Sequence, residues 1–380
     1  MRKSLIILIV VATAGLVTNP VYVQESRTAG PSPYDIVDNW AKPFAGEGFA
    51  FGGNSGVVAD SPDRIIVLQR GQTQLPNPVP AGFEGFVGSI GINALREPDL
   101  NVWKNVIFVV DGDGNLIETW DQWDHLFEGS EYPGPHRIRI SPYDAERRVW
   151  VVNETGHQIF VFSNDGSELL MTLGEKNVSG TDETHFGKPQ DVGFFPDGRF
   201  LVADGFDNCR VMIFSPEAEF ITEFGRCGTG RGEFDVVHSV TTGPDGRIFV
   251  ADRGNRRIQV FNETTRAAVW YHPNISPIAV WPGFDLPLDV IVNDYNVWVT
   301  DLSPAKLVKL DLNGNWQYTW ELPQEGPGAY IEMHSFSIDT NGNVYGADNQ
   351  HGRTQKLVPK ADADPALLVG QPFIGESDTP

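Results

Sequence analysis

Residues 237–262 read VHSVTTGPDGRIFVADRGNRRIQVFN. Pro244-Asp245-Gly246 has the chemistry of a tight turn: proline presets φ, aspartate bonds its own backbone, and glycine accepts positive φ. The turn opens onto two apolar runs, Arg247–Ala251 and Arg257–Phe261, each of strand length and bounded by turn residues. The scheme recurs upstream as Pro196-Asp197-Gly198, Phe200–Ala203 and Val211–Phe214.

Five segments share this layout. In each, one apolar strand ends at Asn153, Asp204, Asp252, Asp301 or Asp348, with steps of 51, 48, 49 and 47 residues. An earlier copy, Ile65–Val67 ending near Gln69, lies 84 residues before Asn153. The excess falls in the Pro- and Gly-rich stretch Gln72–Trp103, expected as a long loop on one face. A period of 40–50 residues with four short strands is the signature of a propeller blade. The expected fold is therefore all-β, a six-bladed β-propeller of four-stranded blades spanning residues 45–370. An extension at 25–44 precedes it and a tail at 371–380 follows. No helical pattern occurs within the period, which disfavours a solenoid, and the recurring Asp and Gly are read as turn chemistry.

The tetrapeptides that open each repeat align as Pro135-His136-Arg137-Ile138, Pro189-Gln190-Asp191-Val192, Val237-His238-Ser239-Val240, Pro287-Leu288-Asp289-Val290 and Met333-His334-Ser335-Phe336, with Gly56 at this place in the first copy. Histidine thus holds one register in copies two, four and six. Alternate blades of six lie about 120° apart around the axis. Three imidazoles at that register point at one spot and leave a fourth position open, the pattern of three-histidine zinc sites. His125, His157, His185, His272 and His351 lack the register and are read as structural or exposed. Arg70 and Arg253 follow equivalent strands, in Leu68-Gln69-Arg70-Gly71 and Ala251-Asp252-Arg253-Gly254. They are either a clamp for a carboxylate at the metal mouth or solvated turn residues.

A net charge of −22 disfavours nucleic acid and anionic lipid as partners. The expected partner is a small-molecule or peptide substrate, and the chain is expected to be a monomer. Arg2 and Lys3 precede an apolar run from Leu5 to Val17, so residues 1–24 read as an export signal, with an uncleaved N-terminal anchor as the alternative. The mature protein is expected to be secreted or periplasmic and free of membrane. Cys209 and Cys227 flank a predicted hairpin, Arg210–Phe214 and Phe220–Phe224. They are either a structural disulfide, which export permits, or two buried thiols. Glycosylation sequons stand at Asn153, Asn177, Asn262 and Asn274. No Ser-His-Asp, Cys-His or phosphate-loop pattern competes with the histidine register.

Three stretches carry a family resemblance: His185-Phe186 through Pro189-Gln190-Asp191-Val192, Asp204-Gly205-Phe206-Asp207-Asn208-Cys209-Arg210-Val211, and His238-Ser239-Val240 with Ala251-Asp252-Arg253-Gly254-Asn255-Arg256-Arg257-Ile258-Gln259. They resemble blades of peptidyl-α-hydroxyglycine α-amidating lyase and NHL repeats generally. The similarity covers roughly residues 50–360 and is strongest from 134 to 262. It implies zinc on His136, His238 and His334, catalytic roles for Arg70 and Arg253, and cleavage of a peptidyl-α-hydroxyglycine to a peptide amide and glyoxylate.

Two positions depart from the family. Its active-site tyrosine stands where this chain has Phe206, and a phenyl ring can neither give nor take a proton. The family also holds a structural calcium with an aspartate just after the third histidine and two backbone carbonyls. Here the aspartate position is Ser335, beside the carbonyl positions of Val57 and Ile138. Three functions follow as expectations: a zinc-dependent carbon–nitrogen lyase, a metal-dependent hydrolase, or an NHL-type module binding protein or glycan.

Overall fold

Alternating and continuous apolar runs bounded by Gly, Pro and Asp make strands, and strands dominate this chain. The computed structural model describes residues 28–79, 81, 83, 85–87, 101–262, 276–326 and 328–372. The stretch quoted above folds as three antiparallel strands, Val237–Thr242, Arg247–Asp252 and Arg257–Asn262, and Ala279–Pro282 completes the sheet. Its turn places Gly246 at φ 76°, a conformation glycine adopts without a Cβ clash.

Among the described residues five sheets of four strands and one of five share this order. Their innermost strands are Asn54–Ser61, Pro135–Ile140, Pro189–Phe194, Val237–Thr242, Pro287–Asn293 and Ser335–Ile338. Each packs against the innermost strands before and after it, and Ser335–Ile338 packs against both Pro287–Asn293 and Asn54–Ser61. This is a β-propeller arrangement.

The core is a set of layers between successive sheets. Phe195, Leu201 and Phe224 of one sheet meet Val240, Ile248 and Phe261 of the next. Each sheet is thus covered on both faces, which is why its middle strands read as nearly unbroken apolar runs. The recurring strand-end aspartates stitch loops to strands. Asp252 accepts from Asp235 N at 2.8 Å, Arg257 Nε at 2.6 Å and Gln259 Nε2 at 2.9 Å.

The last sheet takes its outer strand from the opposite end of the chain. Tyr34–Ile36, within the expected extension, pairs antiparallel with Arg353–Pro359, and Ala29–Pro31 adds a parallel fifth strand to Trp316–Glu321. Part of the expected long loop is ordered as strands Gln72–Gln74 and Asn101–Val102, which join Phe49–Phe51 in a small separate sheet. The expected export signal, Asn274, His272 and most of the expected tail lie outside the described residues. Among the described residues no helix is long and apolar enough to cross a membrane.

Candidate metal centre

One local device aims two of the three histidines. In each of the first five sheets the pairing between the innermost strand and its neighbour slips by one residue at the same place, between Asn54 and Gly56, Pro135 and Arg137, Pro189 and Asp191, Val237 and Ser239, and Pro287 and Asp289. The skipped residues are Ser55, His136, Gln190, His238 and Leu288. A bulge re-aims the side chain it carries. In the first sheet the bulge falls on Ser55, so the residue equivalent to the histidines is Ser55 and the expected register at Gly56 was one residue late. With no histidine there, nothing in the sequence marked the slip. His334 lies just before its strand, its amide donating to the Ala347 carbonyl at 2.8 Å.

The rings of His136, His238 and His334 stand 4.7–5.1 Å apart, edge to face, and one ligand nitrogen from each lies within 4.8 Å of the others. Their Nδ1 atoms turn outward to backbone carbonyls of the intervening sheets: His136 to Gln190 at 2.7 Å, His238 to Leu288 at 2.5 Å and His334 to Ser55 at 2.7 Å. All three acceptors are bulge residues. A carbonyl can only accept, so each Nδ1 carries the proton and each Nε2 lone pair is free to bind a metal. Burial holds all three imidazoles well below the usual histidine value, and neighbouring imidazoles and guanidinium groups depress them further. Neutral, buried nitrogens that converge with fixed tautomers suit a divalent metal.

The histidines floor a cavity of about 390 Å³ that also contains Arg70, Arg253 and Phe206. Arg70 is buried, and its Nε donates to the Pro135 carbonyl at 3.3 Å, beside His136. The Nε of Arg253 is buried without a hydrogen-bond partner. Burial pulls the Arg253 guanidinium down from its ordinary value, with Glu332 and Glu154 opposing that pull. Phe206 is 37% exposed at the mouth. Its loop is set by Gly205, whose missing Cβ lets the backbone lie against the Val237 carbonyl.

Five further side chains with polar groups line the cavity that the sequence reading did not single out: Tyr132, Glu154, Glu332, Asn349 and Gln350. Glu154 Oε2 lies 3.9 Å from His136 Nε2. Burial raises both carboxyls above the usual range, Arg70 opposing the shift at Glu154 and Asp348 adding to it at Glu332. A signal for two of the five was present. Glu154 and Asn349 follow Asn153 and Asp348 as Arg70 follows Gln69 and Arg253 follows Asp252, and all four line the cavity.

The structure joins Cys209 to Cys227 as a disulfide, Cα to Cα 5.0 Å, across the base of the Phe206 loop. Val57 and Ile138 lie on adjacent innermost strands, where Gly56 admits the Ile138 backbone so closely that a Cβ would stand 2.9 Å from its nitrogen. The other described histidines sit elsewhere. His185 bonds Asp182, His351 bonds Asp348, His125 faces the Gln122 carbonyl, and His157 accepts from the Lys188 amide.

The chain has relatives in sequence and in fold. The NHL repeat family matches residues 234–261. Peptidyl-glycine alpha-amidating monooxygenase A of Xenopus laevis is 39% identical over 137 residues, which is 34% of this chain and 14% of the relative. A probable peptidyl-alpha-hydroxyglycine alpha-amidating lyase of Caenorhabditis elegans is 34% identical over 131 residues, 34% of this chain and 37% of the relative. The aligned part therefore spans well under half the length of either. A solved structure of a Bacteroides thetaiotaomicron protein of unknown function superposes with a TM-score of 0.52 at 12% identity, over 87% of this chain and 74% of that one, a likeness of fold alone.

Proposed function

We propose that this chain, which carries an NHL repeat and is similar to the peptidyl-α-hydroxyglycine α-amidating lyases, is an exported six-bladed propeller with a zinc-dependent lyase site on its axis. The observation that carries the reading is the convergence of three outward-tethered imidazoles with two arginines in one cavity. Six sheets in sequence order would make six blades, with His136, His238 and His334 on every second one.

His136, His238 and His334 would hold the zinc. Bound there, it supplies Lewis acidity that lowers the pKa of an α-hydroxyl ligated to it. Arg70 and Arg253 leave equivalent strands on the same mouth and take the substrate carboxylate. Cleavage of an α-hydroxyglycine balances simply. The hydroxyl gives up its proton, its carbon–oxygen bond becomes a carbonyl, and the carbon–nitrogen pair leaves with nitrogen, which takes a proton. The products are an amide and glyoxylate. Phe206 cannot move that proton. In this cavity the groups able to do so are Glu154, Glu332 and Tyr132.

Phe206 also supports a second reading, in which its exposed ring is a contact for another ligand and the site performs different metal chemistry or none. A glyoxylate-release assay on an N-acyl-α-hydroxyglycine separates the two. The lyase reading expects turnover by the wild type that chelation abolishes and zinc restores. No release by the wild type, together with release by Phe206→Tyr, would overturn the lyase reading and show a redirected site.

A further inference from the structure

The residues just beyond the five bulges are Gly56, Arg137, Asp191, Ser239 and Asp289, and the sixth innermost strand opens at Ser335. Arg137 has no solvent exposure. Its Nη1 donates to the His334 carbonyl at 2.8 Å, and its Nη2 donates at 3.1 Å to the Leu288 carbonyl, the one that also holds His238 Nδ1. It lies 3.6 Å from Asp191 and 3.6 Å from Asp289, both wholly buried. Arg139 bonds Asp191 through Nε at 3.0 Å and Nη2 at 2.8 Å, and reaches Asp289 at 2.5 Å. The Ser239 hydroxyl sits between the same pair, 2.6 Å from Asp191 Oδ2 and 3.0 Å from Asp289 Oδ1, and its single proton serves the nearer one. The Phe336 amide donates to Asp289 at 3.3 Å.

Two guanidinium groups thus balance two carboxylates in the heart of the molecule. Isolated buried carboxylates are strongly disfavoured, and a cation must neutralise them. The calcium that the family resemblance implies does not fit these residues. Its carboxylate position is Ser335, whose buried hydroxyl oxygen has no hydrogen-bond partner, and a permanent positive charge already occupies the tier. A divalent ion added there would meet a guanidinium that cannot deprotonate.

We infer that Arg137 is a built-in cation that takes the place of a structural calcium, neutralising Asp191 and Asp289 and fixing the carbonyls around His238 and His334. It acts as a positioning residue for the metal site, and it does so whatever reaction the cavity performs. Failure of the glyoxylate assay leaves this inference intact.

The test has a wild-type arm and a variant arm. The wild-type protein is expected to contain no stoichiometric calcium as purified and, once freed of zinc, to keep its melting midpoint within ~1 °C on addition of calcium. About one calcium per chain, or a zinc-free midpoint that rises with calcium, would overturn the inference, and this arm needs no variant to fold. In the double variant Arg137→Gly/Ser335→Asp, calcium is expected to raise the midpoint by ~3 °C or more. No calcium response in a folded double variant counts against it. Cobalt substitution reads the positioning role. Arg137→Gly is expected to shift the cobalt visible spectrum and weaken cobalt binding at least ~10-fold, as losses of outer-sphere support do. An unchanged spectrum and affinity would reduce Arg137 to a stability element and contradict the positioning role.

Discussion

Arg253 and Glu332 carry two residue-scale expectations. A guanidinium presents a planar fork to a carboxylate and an ammonium does not. Arg253→Lys is therefore expected to lower kcat/KM for a carboxylate substrate by roughly 30–100-fold, about 2–3 kcal/mol, while zinc content stays at the wild-type level. An unchanged kcat/KM would remove Arg253 from the site. Glu332 is buried, and burial raises its carboxyl above the usual range. The folded protein then binds that proton more tightly than the unfolded chain does. The resulting stability is fully present below the unfolded carboxyl value and is lost as pH rises through the raised folded one. Glu332→Gln removes the titration, so in zinc-free protein it is expected to raise the melting midpoint at pH 8 and to have little effect near pH 4. Thermal scans at the two pH values check the sign. The acids were harder to read from sequence than the histidines. Glu154 stood in a register already used to select Arg70 and Arg253, but its negative charge did not match the chemistry sought there. Arg137 sits mid-strand with its partners 54 and 152 residues away, and no local pattern can announce such a pairing.

At the scale of elements the bulge and the closing strand matter most. The repeat made the strands legible: the hairpin Arg210–Phe214 and Phe220–Phe224 has its expected bounds, and Asn153, Asp204, Asp252, Asp301 and Asp348 each end a strand. Tyr34–Ile36 was not legible as the outer strand of the last sheet, because three residues show no periodicity and their partners are more than 300 residues on. Tyr34 is 3% exposed, packs on Trp320 with ring centres 4.8 Å apart, and accepts from the Val369 amide at 3.1 Å. Tyr34→Ala is expected to cost about 3–5 kcal/mol, as other buried aromatic truncations do, read as a lower denaturation midpoint at an unchanged denaturant slope. The disulfide is a second such tie. Its 18-residue separation gives an entropic contribution of about 3 kcal/mol, so Cys209→Ala/Cys227→Ala is expected to unfold earlier by that measure. A double variant as stable as the wild type would show that the bond is dispensable.

On the scale of the whole molecule, the ring of sheets converts a one-dimensional repeat into a site. Sheets that share one strand order cannot by themselves make three histidines differ from their neighbours. The sequence places histidine on every second unit, and the intervening units supply the backbone carbonyls of Ser55, Gln190 and Leu288 that fix the tautomers. Beneath them, charge is balanced by Arg137 and Arg139 against Asp191 and Asp289. Above them the cavity offers Arg70 and Arg253 with Glu154 and Glu332. Metal on three neutral imidazoles would also tie stability to metal concentration, since a ligand held by the folded state alone stabilises it by mass action. The most direct measurement is metal content by mass spectrometry of the purified wild type beside His238→Ala. About one zinc per chain in the wild type and less than about a tenth of that in the variant is the expected result. Only trace metal in the wild type, or equal metal in both proteins, would contradict the three-histidine site.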